Sequence, residues 1–266
     1  MSKDAITPRR VDAPDATFQG LRRFNAVMGA LHLLQGILML VLSNAKGYPF
    51  WTSYLTFDTG KMALVPNPQQ VGSLRFGPAV ALFLLLSATA HFILSTFGFK
   101  WYVANLKRHN NPLRFWEYAL SSSLMIVLIA MLVGMWDIVS LLLILTLNAT
   151  MNFFGHMMEL HNQTTERTDW TAFIYGCIAG VVPWVAIAMY LFGSGSGGAK
   201  APDFVYAIMV SLFIFFNTFA VNMFLQYKKV GKWKDYLYGE RWFIILSLVA
   251  KTLLAWQIFA GTLAPV

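Results

Sequence analysis

One lysine in the middle of a long apolar segment constrains this chain more than any other feature. Lys251 lies within the run from Trp242 to Phe259, which is otherwise almost entirely apolar. A helix that begins at Trp242 would carry the ammonium group about 14 Å into a lipid bilayer. A charge at that depth costs about 3 kcal/mol even on forgiving insertion scales. The amine must therefore be paired with an anion, line a pore, or be bonded covalently, for example as a Schiff base with an aldehyde.

The composition is that of a membrane protein. Of the 266 residues, 57% are apolar and only 12% are charged, and the mean hydropathy is +0.56. A soluble domain has about 25% charged residues. We therefore predict an all-α membrane protein, a seven-helix bundle in which residues 21–266 form one domain after a tail of residues 1–20. Seven spans are predicted: Leu21–Ser43, Leu74–Phe97, Leu113–Met135, Ile138–Met158, Trp170–Leu191, Phe204–Tyr227 and Trp242–Gly261.

The distribution of basic residues predicts the orientation in the cell membrane. Fifteen of the 20 Lys and Arg residues lie on the side where the chain begins. The opposite side has four: Lys46, Lys61, Arg75 and Lys200. The positive-inside rule then places the N-terminus in the cytoplasm and the C-terminus outside. Membrane lipid with anionic headgroups accounts for the basic face, so no nucleic-acid partner is expected.

The connection between the first two predicted helices is too long for a plain turn. Residues 53–57 and 62–65 have strand-like patterns and flank the sequence Asp58-Thr59-Gly60-Lys61. We predict a small extracellular β-hairpin in which Gly60 supplies the positive φ of the turn. A two-stranded hairpin is marginal alone, so it should lean on a neighbouring element or a second protomer.

Few ionisable residues fall inside the predicted spans. Apart from Lys251 they are Glu117, His32 and His91, all in the cytoplasmic half. An isolated Glu117 could simply be protonated near the interface, but a single buried lysine makes it the natural partner, because each charge lowers the other's cost. Ser121 is one turn from Glu117, and Ser247 is one turn from Lys251. Charged and polar residues nearer the helix ends are predicted to snorkel to the interface: Asp137, Glu159, Arg75, His156 and Arg241.

The two histidines leave two interpretations open. Each could be a core imidazole satisfied by a Ser, an Asn or a backbone carbonyl. Their matching depth favours a small hydrated polar cavity instead. The outer half offers little for proton transfer: after Ser123 the third span continues with ten residues that carry no polar side chain. A proton relay needs a series of carboxylates or histidines, so this asymmetry argues against a pump that crosses the whole bilayer.

Aromatic residues are abundant, and most of them are expected to fill the core or line the membrane interface. Four lie deep in their predicted spans: Trp184, Phe215, Phe216 and Trp256. Aromatic rings at that depth are suited to enclosing a flat conjugated ligand attached to Lys251.

Several strings of residues resemble the heliorhodopsins, a family of retinal-binding seven-helix proteins, across nearly the whole chain. The third span resembles that family in Glu117-Tyr118, residues 120–123 and residues 125–130. The seventh span resembles it in residues 239–241, 246–251 and 254–259. Shorter similarities are Gly176–Gly180 with Pro183-Trp184, Phe215–Asn217 and Leu225–Tyr227. The inverted orientation derived from charge is also a trait of this family.

The resemblance implies a cofactor and roles for several residues. All-trans retinal would be bound to Lys251 as a protonated Schiff base, with Glu117 as its counterion. His32 and His91 would belong to a cytoplasmic polar cluster that influences proton movement after illumination. Ser247 and Ser87 match family positions near the Schiff base and that cluster. The resemblance also implies a light-sensing role and a homodimer with the hairpin at its interface.

Three functions follow, from different classes. The first is a light sensor that acts through an unidentified cytoplasmic signalling partner. The second is a light-driven or light-gated ion transporter. Pumping rhodopsins usually have an Asp where this chain has Ser247, and often a carboxylate where it has Leu128. The third is a membrane enzyme with a catalytic lysine, which is disfavoured because no nucleophile, metal cluster or phosphate loop accompanies Lys251. The sequence therefore favours the sensor.

Overall fold

A computed structural model describes residues 10–193 and 203–263, of which residues 203–204 and 262–263 are described in their backbone only. Seven of its helices are long and apolar enough to cross a membrane, as predicted. The elements in chain order are α1 (Asp15–Leu42), β1 (Gly47–Asp58), β2 (Ala63–Arg75), α2 (Phe76–Ser95), α3 (Phe99–Leu106), α4 (Pro112–Leu132), α5 (Ile138–His161), α6 (Thr171–Gly193), α7 (Asp203–Tyr227) and α8 (Tyr236–Ile258). A short 3₁₀ helix (Gly231–Lys234) precedes α8, and a π-helical turn (Phe259–Leu263) follows it.

The bundle has two distinct faces. At the face where the chain begins, here called the N-terminal face, the segment before α1 meets the end of α3, since Val11 N donates to Lys107 O at 3.0 Å. At the opposite, C-terminal face, the hairpin meets the connection between α4 and α5, where Trp51 N donates to Trp136 O at 2.7 Å. Most of the basic residues lie at the N-terminal face.

Side-chain caps fix where α4 and α8 begin. Asn111 accepts a hydrogen bond from Arg114 N and precedes a proline at the first position of α4, where proline is well tolerated. Asp235 caps α8 by accepting from Leu237 N at 2.9 Å. The predicted start of this helix at Trp242 is therefore wrong by six residues. Glu240, expected in a loop, lies inside the helix and is buried.

One further predicted boundary is wrong, and one helix was not predicted. The first helix begins at Asp15, so part of the predicted tail is helical. Residues 1–9 of that tail lie outside the described residues. The connection between α2 and α4 contains the short helix α3, which sequence periodicity did not reveal. Its Tyr102 and Leu106 are buried, while Trp101 and Lys100 are exposed.

The hairpin is confirmed but is longer than predicted. Its strands pair antiparallel from Gly47 with Arg75 to Asp58 with Ala63, with a bulge after Phe50. Gly60 does not supply the positive φ of the turn; Met62 does, with φ of 47°. Asp58 Oδ1 accepts hydrogen bonds from Gly60 N at 2.8 Å and Lys61 N at 3.1 Å. This side-chain turn holds the tip without a left-handed glycine.

The half of the bundle near the C-terminal face has an apolar core. Fully buried side chains from α2, α4 and α8 fill it: Val80, Phe83, Leu84, Ile126, Leu128, Ile129, Leu254 and Ile258. Close packing of this kind excludes water, because a buried water needs two to four polar partners. The polar site described next lies on the other side of this core.

Candidate retinal-binding site

Lys251 and Glu117 form a buried ion pair between α8 and α4. Lys251 is 2% exposed, and its Nζ lies 2.7 Å from Glu117 Oε1. A lone buried charge is unstable in the membrane, and each of these groups supplies the other's partner. The partnership predicted from the sequence is therefore present in the structure.

Three serines surround this ion pair. Lys251 Nζ donates to Ser87 Oγ on α2 at 2.5 Å and to Ser247 Oγ, one turn away, at 3.2 Å. Ser87 Oγ donates in turn to Glu117 Oε1 at 2.6 Å. Ser121 is fully buried near the same carboxylate, but its hydroxyl has no hydrogen bond of normal geometry with any described residue. Ser87 is thus the one serine that bridges both charges.

The two histidines lie together, as their depth predicted. Their rings stack with centroids 5.4 Å apart. His91 is satisfied by Asn25, with Nδ1 2.7 Å from Asn25 Oδ1. His32 is fully buried, and neither of its ring nitrogens has a hydrogen-bond partner among the described residues. The interpretation as a satisfied core imidazole therefore fits His91 but not His32.

Two cavities lie near the ion pair: Glu117 lines the smaller one, and neither Glu117 nor Lys251 lines the larger one. The smaller one, of about 30 Å³, is lined by Asn25, His91, Asn111, Arg114, Glu117, Tyr118, Glu240 and Ser247, among others. Water needs about 10–15 Å³ of such volume, together with polar partners. This polar cavity can therefore hold water, which agrees with the hydrated pocket predicted from the histidines.

The larger cavity, of about 360 Å³, lies between α4, α5, α6, α7 and α8. Trp184 and Phe216 line it, as predicted for aromatic residues around a flat ligand, and so do Tyr118 and Phe243. Phe215 and Trp256 do not line it. Trp256 is 39% exposed and packs against Phe259, because the face of α8 that carries it turns away from the bundle centre.

These residues fit retinal. Ligand cavities of about 300–1,000 Å³ with apolar, aromatic walls are typical of sites that bury a whole small molecule. The ring of Tyr118 lies 5.2 Å from Lys251 Nζ and also lines the larger cavity. The ring of Tyr118 thus lies between the amine and the aromatic cavity, and Lys251 is the only lysine within the described spans. Its nitrogen is the group that can bond an aldehyde.

A second buried ionic cluster lies at the N-terminal face and was missed from the sequence. The guanidinium of Arg114 on α4 forms ion pairs with Glu159 on α5 and Glu240 on α8. The predicted snorkelling of Glu159 is wrong, because its side chain is fully buried. The detectable signal was helical spacing: Arg114 precedes Glu117 by three residues, and Glu240 precedes Lys251 by eleven, which is about three turns.

We expect substitution of Arg114 by Met to destabilise the protein by about 3–5 kcal/mol, because two buried carboxylates would lose their shared cation. The change should appear as a lower unfolding temperature of the purified protein. Substitution of the exposed Arg241 by Met at the same face is the matched control and should have little effect. Equal unfolding temperatures of the two variants would show that the cluster does not stabilise the fold.

Comparison with known proteins places this chain in a family. A sequence model of the heliorhodopsin family matches residues 21–263. The fold is similar to that of a cyanorhodopsin from the cyanobacterium Tolypothrix, with a TM-score of 0.54 and 11% identity over 92% of this chain and 95% of the other. It is also similar to a thermophilic rhodopsin, with a TM-score of 0.50 and 13% identity over 96% of this chain and all of the other. No curated protein gave a significant match.

At these identities the solved structures show the fold alone, and the family assignment comes from the sequence match. That match spans all seven membrane helices and includes both Lys251 and Glu117. The resemblance inferred from the sequence is confirmed. The chain belongs to the heliorhodopsin family, membrane-embedded photoreceptors that bind retinal.

Proposed function

We propose that this protein is a light sensor in which all-trans retinal is bound to Lys251 as a protonated Schiff base, with Glu117 as its counterion. The observation that carries the proposal is the buried contact of 2.7 Å between Lys251 Nζ and Glu117 Oε1 beside an aromatic cavity. Retinal supplies light absorption and the isomerisation that follows it. The chain's own residues hold the charge and the proton.

The hydrogen bonds of Lys251 would change on attachment. The free ammonium donates to Ser87, Glu117 and Ser247. A protonated Schiff-base nitrogen has a single N–H, so only one of these acceptors keeps a direct bond at a time. Glu117 is the charged acceptor, and charge-assisted hydrogen bonds are about twice as strong as neutral ones. Ser87 would then hold Glu117 in place through its own bond to Oε1.

The asymmetry of the bundle favours sensing over transport. Polar side chains and the small cavity lie between Lys251 and the N-terminal face. Toward the C-terminal face the bundle centre is packed with apolar side chains, among them Leu128 and Leu254. A proton that leaves the Lys251 nitrogen therefore has His91 and Glu240 beside a cavity on the N-terminal side, whereas the described polar side chains nearest to it on the other side, such as Gln257 and Ser211, are neutral amides and hydroxyls. The alternative, a light-driven or light-gated ion transporter, needs a path through both sides.

The orientation and the partners belong to the same proposal. The concentration of Lys and Arg at the N-terminal face supports a cytoplasmic location for that face and an extracellular hairpin. Exposed apolar residues of the hairpin, such as Tyr54, Leu55 and Leu64, support a homodimer contact there. The basic loop between α7 and α8 is the surface that a cytoplasmic signalling partner would meet.

Chemical trapping tests the covalent attachment. The purified protein is incubated with all-trans retinal, treated with borohydride to reduce an imine to a stable amine, digested and examined by mass spectrometry. We expect the added mass of one retinyl group on the peptide that contains Lys251. A retinyl group on a loop lysine, or none on any peptide of a coloured sample, would contradict the proposal.

The two histidines provide a separate prediction. Substitution of His32 or His91 by Phe should change the rate of the proton-transfer step that follows a flash. His91 lines the polar cavity, and the ring of His32 stacks on the ring of His91. The ground-state colour should change less, since Glu117 is the charged partner of Lys251. Flash photolysis measures both properties. Unchanged kinetics in both variants would show that the histidines only pack in the core and take no part in proton transfer.

A further inference from the structure

The cluster of Arg114, Glu159 and Glu240, here called the Arg114 triad, carries an excess negative charge. Two carboxylates share one guanidinium, and all three side chains are buried. Ionised, the cluster has a formal charge of −1, whereas Lys251 and Glu117 neutralise each other. A buried site with one uncompensated negative charge can become neutral by binding one proton.

The neighbours of the triad are polar but neutral. Tyr102 Oη donates to Glu240 Oε1 at 2.9 Å, and Asn111 Nδ2 donates to the same oxygen at 2.7 Å. Glu159 accepts from Asn111 N at 2.9 Å and from Tyr236 Oη at 3.1 Å. The only cation that contacts either carboxylate among the described residues is Arg114. These donors hold the geometry without cancelling the charge.

A polar route joins the triad to the retinal-binding site. Glu117 and Glu240 both line the small cavity, whereas Glu159 does not. Along α8, Glu240, Ser247 and Lys251 recur at helical spacing, so that one face of the helix runs from the triad to the site over about 16 Å. Arg114 also lines the cavity, and its Nε is buried with no hydrogen-bond partner among the described residues. A water molecule in the cavity would satisfy this donor.

We propose that Glu240 is the internal acceptor of the proton that leaves the Lys251 nitrogen after illumination. The inference rests on the proposed function, since it requires a protonated Schiff base at Lys251. In the step, the N–H bond at Lys251 breaks and an O–H bond forms on a carboxylate oxygen of Glu240, with Glu117, which contacts the nitrogen and lines the cavity, and water in the cavity as the relay. The net change is the loss of one N–H bond and the gain of one O–H bond, and no oxidant or reductant is needed.

Charge balance explains why the proton would stop there. When Glu240 is protonated, Arg114 and Glu159 remain as a one-to-one ion pair, so the triad becomes neutral. Asn25 and His91 line the same cavity as Glu240, and His91 Nδ1 is already engaged by Asn25 Oδ1. The proton then moves between two buried sites and does not enter bulk water. Its displacement toward the N-terminal face is a local charge change that a signalling partner could detect.

Infrared difference spectroscopy tests the acceptor on the full chain in lipid with retinal. Light should produce a carboxylic-acid C=O band, which Glu240→Gln abolishes and Glu159→Gln retains. If Glu240→Gln forms no pigment, Glu240→Asp serves instead, and the band should move in frequency. A light-induced band that neither Glu240 variant alters would overturn the inference. A wild-type sample that forms no visible pigment would instead overturn the proposed function.

A retinal-free measurement tests the excess charge independently. Glu240→Gln and Glu159→Gln each leave Arg114 with one carboxylate, whereas the double variant leaves a buried cation with none. We expect small decreases in unfolding temperature for the single variants. The decrease in the double variant should be clearly larger than the sum of the two. Single variants that are each as unstable as the double would show that both charges are required, and the triad could not then serve as a proton acceptor.

Discussion

Lys251→Ala is expected to abolish pigment formation completely. The reason is geometric: within the described spans this is the only lysine, and no other amine in them can hold a buried aldehyde. The measurement is the visible absorption of the purified protein after incubation with all-trans retinal. Lys100→Ala, which removes an exposed lysine on α3, is the matched control and should form normal pigment.

Loss of colour must be separated from loss of folding. Lys251→Ala leaves Glu117 buried without its cation, and a carboxyl group in that position escapes the cost by binding a proton. The double variant Lys251→Ala with Glu117→Gln removes both charges and should remain folded, with no pigment. A visible band that survives detergent washing in either variant would show that Lys251 does not carry the chromophore.

Glu117→Gln is expected to shift the absorption of the protonated pigment to longer wavelength. The negative carboxylate stabilises positive charge at the Schiff-base nitrogen in the ground state. Excitation moves that charge toward the ring, so the carboxylate stabilises the ground state more than the excited state and widens the gap. The contact of 2.7 Å makes this effect large. At a given pH, the variant should also contain a larger fraction of deprotonated pigment, which absorbs in the near ultraviolet.

Acid provides an independent version of the same experiment. Acidifying the wild-type pigment until Glu117 is protonated removes the same negative charge and should produce the same red shift. Glu159→Gln, which changes a carboxylate that does not contact Lys251, is the matched control and should keep the wild-type colour. A Glu117→Gln pigment with the wild-type spectrum at every pH would mean that another group neutralises the nitrogen.

The central ion pair could be predicted from the sequence because the membrane makes charges rare and expensive. Lys251 was alone in its span, and Glu117 was the one carboxylate at a compatible depth, so their contact followed without structural information. The apolar outer half could be predicted for the same reason, since uninterrupted runs of apolar residues are visible in the sequence.

The triad was missed because its position depends on where helices begin and on which face each side chain lies. The cap at Asp235 extends α8 by six residues and brings Glu240 into the bundle. Glu159 was predicted to snorkel because it is near a helix end, but Arg114 on the neighbouring helix pairs with it in the interior. The prediction that Trp256 encloses the ligand is wrong for a related reason. Periodicity gives the depth of this residue in the membrane, and only packing shows that it faces outward.

The most direct test of the sensor proposal is a measurement of light-driven charge movement across a membrane that contains the full protein and retinal. We expect at most a brief transient current after each flash, because the proton moves between buried groups on one side of an apolar core. No current should persist under continuous light. A sustained photocurrent that is abolished by Lys251→Ala would contradict the account and establish ion transport as the function.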